Sequence, residues 1–159
     1  MDMSIKMILL AFGGSIFPVI LFNIDRRKII YAGIGGVLGW ICYSMVLERS
    51  GSQVIASFFG ALAVNAYSEL MARIIKTPAS MFYVPGIFPL VPGITAYSTI
   101  NYLVEKNFNE AQNSGMLMLG IAGAIGFGIM LSTAVAGFIS KVYRNVKVYK
   151  LNLSKGTKL

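Results

Sequence analysis

Five long apolar runs, at about residues 5–22, 29–47, 53–72, 79–103 and 115–140, divide the chain. Each is roughly 18 to 25 residues long, the length an α-helix needs to cross a hydrocarbon core of roughly 30 Å. Polar islands separate them: NIDRRK, ERSGS, RIIKTP and EKNFNEAQNS, with a basic tail over 141–159. The pattern predicts an all-α fold, an integral membrane bundle of five transmembrane helices. Residues 1–159 form a single transmembrane domain. The first run is expected to be a retained helix, because DRRK puts more positive charge after it than Lys6 puts before it.

Composition supports this picture. Hydrophobic residues make up 56% of the chain and charged ones 13%, with a mean hydropathy of +0.71. Soluble domains carry about 25% charged residues. Placing the tail in the cytoplasm assigns Arg26, Arg27, Lys28, Arg73, Lys76, Lys141, Arg144, Lys147, Lys150, Lys155 and Lys158 to inner segments. Only Lys6, Arg49 and Lys106 remain outside. That asymmetry predicts a multi-pass orientation with the N-terminus outside and the C-terminus cytoplasmic; the localisation expected is a prokaryotic cytoplasmic (inner) membrane. The net charge of +8 follows topology, so the partner expected is the lipid bilayer, not nucleic acid. The tail's basic and apolar alternation suits an anchor on anionic lipid or a docking segment. With no histidine, one cysteine (Cys42) and six acids mostly in the islands, no catalytic set or metal site can be assembled. Neither enzymatic activity nor a cofactor is expected.

Small residues should carry the packing, since lipid tails are as apolar as leucine. Gly35 and Gly39 share a face of the second run; Gly120 with Ala124, and Ala122 with Gly126, do so in the fifth. These glycines do not join a strand to a helix, which excludes a dinucleotide loop. In the third run Ser57, Ala61, Asn65, Ser68 and Ala72 form a narrow small-and-polar stripe. Asn65 is either interhelical glue or part of a substrate path. Glu69 is the only acid within a run, and Arg73 lies four residues on, the favourable order for an ion pair. Its other reading is a proton-titrating group coupled to transport.

The fourth run raises a conflict. FYVPGIFPLVPGITAYSTI, residues 82–100, contains Pro85, Pro89 and Pro92 together with Gly86 and Gly93. Each interior proline costs a helix roughly 3 kcal/mol. Backbone groups freed at membrane depth are tolerated only inside protein or beside a wet cavity. The fourth helix is therefore predicted to break near the midplane, with Pro92 starting a second half-helix whose free N–H groups point into the protein. Such an end carries partial positive charge and suits a carboxylate. Thr95, Tyr97, Ser98 and Asn101 supply hydroxyls and an amide along it. A plain proline kink is the alternative.

The core Pro89–Tyr97, P-x-x-P-G-[IV]-[ST]-x-Y, resembles the signature of the threonine/serine exporter family, specifically its small five-helix membrane subunit. The resemblance implies export of small carboxylated metabolites, threonine and serine or dicarboxylates such as succinate, driven by the proton gradient. It also implies a larger YjjP-like membrane subunit as partner, in a hetero-oligomer. On the motif it nominates Pro89, Pro92, Gly93, Thr95 and Tyr97. Asn65, Ser98, Asn101 and the coupling candidate Glu69 rest on physical argument alone. Competing functions are a non-transporting scaffold or assembly partner and a neutral-lined pore.

Overall fold

A computed structural model describes residues 5–21 and 28–156, which form six α-helices, a short 3₁₀ turn and no strand. The helices are α1 (Ile5–Leu21), α2 (Ile29–Ser50), α3 (Gln53–Ile75), α4 (Ser80–Ile87), α5 (Gly93–Val104) and α6 (Phe108–Gly156). The 3₁₀ turn Phe88–Leu90 follows α4. By length and composition α2, α3 and α6 (over Phe108–Tyr143) can each cross a membrane. The α4–turn unit and α5 pass that test together, as a pair bent by 51°. The described part of α1 has 17 residues, at the lower end of spanning length. Arg26, Arg27 and Lys158 of the predicted inner charge set, and Phe22 of the first run, lie outside the described residues.

Left-handed residues end three helices. Gly51 (φ 64°) closes α2 with its N–H on the Leu47 carbonyl at 2.9 Å. Lys76 (φ 56°) closes α3, and the Thr77 N–H reaches the Ala72 carbonyl at 3.1 Å. Lys106 (φ 59°) follows α5, and the Asn107 N–H reaches the Tyr102 carbonyl at 2.9 Å. Each bond satisfies a carbonyl that the helix end leaves free. A lysine at two of these turns also places a cation at the negative helix end.

Two predicted boundaries need correction. The island EKNFNEAQNS is mostly helical: only residues 105–107 connect α5 to α6. Glu110, Ala111 and Gln112 are acceptable helix formers, and Glu110 suits the first turn of α6. The basic tail is no separate segment either, since α6 continues as one helix of 49 residues to Gly156.

Helix α3 is the hub, packed against α2, α4 and α6. Gly39 and Gly60 let α2 and α3 touch: a methyl group on Gly60 would lie 3.2 Å from the Gly39 carbonyl oxygen. Against α6 the close approach is at Gly128, where a methyl would lie 2.7 Å from the Phe58 carbonyl oxygen. Gly120 also packs on α3, against Val54, whereas Ala122 and Gly126 are exposed. Of the two predicted faces, the one with Gly120 meets α3, whereas the Ala122/Gly126 face does not and Gly128 makes the closer approach. Ala61, Val64, Leu90, Ile121 and Ile125 make the buried cluster between these elements.

The pairing register fixes chain direction. Along α3 and α6 the partners rise together: Val54 with Gly120, Phe58 with Phe127, Asn65 with Thr133, Arg73 with Ala136. These helices are parallel. Helix α6 therefore begins on the side where α3 begins, and residues 80–104 traverse the bundle once in the opposite direction.

Candidate functional site

The interruption lies at Val91–Pro92, after the 3₁₀ turn. Val91 is extended (ψ 131°) and Pro92 has φ −76°, ψ 56°. Pro85 does not break the chain: it is buried inside α4. Pro92 stands as the residue before α5, so Gly93 opens the half-helix where Pro92 was expected to. Leu90 holds the turn in place, buried with one methyl 3.1 Å from where a methyl on Gly60 would sit. Gly86 approaches Val64 in the same way, at 2.8 Å. Gly60 and Val64 are central in α3, and Pro89 lies 3.9 Å from the corresponding position at Gly14, central in α1. The interruption is at mid-height of the bundle.

One side of it forms a crevice of about 380 Å³, in which Phe88 and Pro89 face Met7, Leu10, Ala11 and Gly14 of α1 and Trp40 of α2. Trp40 stacks on Tyr43 with ring centroids 5.4 Å apart. Its indole N–H is buried with no acceptor among the described residues. Sequence reasoning passed over Trp40, although a lone tryptophan within a glycine-rich run was the available signal.

The other side is open. The Gly93 N–H bonds the Val91 carbonyl at 2.8 Å and the Ala96 N–H bonds the Pro92 carbonyl at 2.9 Å. No side chain caps α5, and the Ile94 and Thr95 amides have no acceptor among the described residues. Beyond its chain neighbours and its own helical turn, no described atom lies within 4 Å of a methyl placed on Gly93. Ile94 is 86% and Tyr97 72% exposed. The expectation that this end points into the protein is therefore corrected: α5 packs chiefly on α6, and Gly93 and Ile94 at its start are exposed.

The remaining nominated residues divide. Thr95 and Ser98 are half-buried on α5, and the Thr95 carbonyl accepts from the Thr99 hydroxyl at 2.8 Å. Asn101 donates to Glu105 at 2.8 Å, about 12 Å from the start of α5 at 1.5 Å per residue. Asn65 is fully buried on the opposite seam, donating to the Ile129 carbonyl (3.2 Å) and the Thr133 hydroxyl (2.9 Å) of α6. It ties two helices together, and its carbonyl oxygen has no partner among the described residues.

Glu69 and Arg73 line a separate groove between α3 and α6. Arg73 turns to the Ala136 carbonyl at 2.9 Å, and among the described residues Glu69 forms no ion pair. The i,i+4 pair is not made. The structure thus brings Pro89, Pro92, Gly93, Thr95 and Tyr97 together around one interruption and leaves Asn65, Glu69 and Asn101 elsewhere. Among the described residues no group of three or more His, Cys, Asp or Glu could hold a metal ion.

A family model described as Threonine/Serine exporter, ThrE, matches residues 7–135. A protein of Haemophilus influenzae (strain Rd) described as uncharacterized is 24% identical over 120 residues, which cover 70% of this chain and 40% of that relative. The chain thus spans about two fifths of the length of that curated relative. No solved structure matches the chain.

Proposed function

The chain belongs to the threonine/serine exporter family, and we propose that it is one subunit of a secondary transporter moving small carboxylated metabolites out of the cytoplasm. Threonine and serine are the first substrates to test, and dicarboxylates such as succinate the second. The observation that carries this reading is a helix interrupted at mid-height with two amides at its restart lacking acceptors. At membrane depth such groups require a polar partner, and a substrate carboxylate at a half-helix N-terminus is a recurring one. Thr95 and Tyr97 offer hydroxyls along the same half-helix.

In this reading residues 80–104 are one broken crossing and not a loop that returns to its own side. The parallel register of α3 and α6 supports that topology. Together with α1 it gives five crossings, and the charge asymmetry orients them with the C-terminus in the cytoplasm. The exposed start of α5 supports a second reading step, that a larger membrane subunit completes the site. The greater length of the Haemophilus influenzae relative is consistent with it.

The test is efflux from cells preloaded with labelled threonine, serine or succinate, expressing this chain with and without a larger family subunit. Faster efflux of one substrate with the pair is expected. Efflux no faster than in empty cells for all three would end the proposal. Thr95→Val and Tyr97→Phe separate transport from docking: efflux should fall while the two subunits still copurify.

A further inference from the structure

We propose that the groove between α3 and α6 seats one acyl chain of an ethanolamine phospholipid, with the phosphate on Arg73 and the ammonium on Glu69. The groove encloses about 310 Å³. Its walls are Leu62, Ala66 and Leu70 from α3 and Leu131, Val135 and Ile139 from α6. From Leu62 to Arg73 it runs about 16 Å at 1.5 Å per residue, close to one leaflet of a roughly 30 Å core. Leu70, Val135 and Ile139 are each about half exposed, so the groove opens sideways to lipid.

Charge selects the occupant. Arg73 and Glu69 meet the groove toward the end of α3, where a spanning helix reaches the headgroup region. Arg73 uses one donor on the Ala136 carbonyl, and its planar fork retains others suited to phosphate. Lys76 and Lys141 stand further toward the same end and add positive charge. A purely anionic headgroup would meet the Glu69 carboxylate, with which no cation among the described residues forms an ion pair. A headgroup bearing both phosphate and primary ammonium satisfies both side chains. A free amino acid carries the same two charges but would leave most of the aliphatic wall unfilled.

The experiment is native mass spectrometry of the full chain, released in mild detergent from vesicles of equal phosphatidylethanolamine and phosphatidylglycerol. One phosphatidylethanolamine per chain is expected, with at least about tenfold preference over phosphatidylglycerol. Arg73→Gln and the groove-filling Ala66→Trp should each lower retention about tenfold. Glu69→Gln should keep a bound lipid but abolish the headgroup preference, and it should leave the pH profile of efflux unchanged. Helix content by circular dichroism checks that the variants fold. Equal retention of both lipids by the native chain would overturn the assignment, as would retention indifferent to Arg73→Gln and Ala66→Trp together. Displacement by free threonine would also overturn it, making the groove a substrate site. A Glu69→Gln shift in the efflux pH profile with unchanged lipid preference would return that carboxylate to proton coupling.

Discussion

Helices α2 and α5 are both apolar, yet the bundle treats them oppositely. Ala32, Gly33, Gly35, Gly36, Gly39 and Ser44 of α2 are buried, whereas α5 buries no residue and leaves Ile94, Tyr97, Ile100 and Val104 exposed. Small residues let α2 meet α1 on one side and α3 on the other. Bulky residues on α5 keep neighbours away and present a greasy face with an unsatisfied helix start beside it. Close packing within one chain and readiness to engage something outside it are thus written into different helices.

That contrast can be broken most forcefully on the packed side. Gly60→Leu should destabilise the fold by about 3 kcal/mol or more, because the side chain would collide with the Gly39 carbonyl and Leu90. Denaturation in mixed micelles measures it. Asn65→Ala should cost about 1 kcal/mol, since hydrogen bonds between membrane helices average roughly 0.6 and reach about 1.7 kcal/mol. Thr133→Val should give a similar or smaller loss, and the double variant should show coupling. Ile94→Ala with Tyr97→Phe should change the isolated chain by less than about 0.5 kcal/mol, as exposed positions do. The same pair should nonetheless lower efflux by the assembled transporter. An isolated-chain loss as large as that of Gly60→Leu would erase the distinction between the two helices.

Much of this was legible beforehand, for specific reasons. Hydropathy located α2 and α3 within a few residues because lipid depth imposes a length. The proline cluster located the interruption, but not which proline makes it. Pro85 is accommodated inside α4, while the chain turns at Val91–Pro92. Polarity was a poor guide to residues 108–114, which are helical because helix propensity does not require apolar side chains. Spacing identified faces without saying what they meet. Gly126 and Gly128 look alike in sequence, yet only Gly128 is seated against α3. Glu69 and Arg73 had the right spacing for an ion pair, but the Ala136 carbonyl lies on another helix and its pull is invisible in local sequence. The outward turn of α5 was likewise a matter of tertiary placement.

Helix α6 has a consequence of scale. Its 49 residues make a rod of about 73 Å at 1.5 Å per residue, more than twice a roughly 30 Å hydrocarbon slab. No plausible tilt conceals such a mast within the bilayer, so a substantial part must stand in water or among headgroups. Whatever touches that projecting stretch touches the same helix that is seated at Gly128.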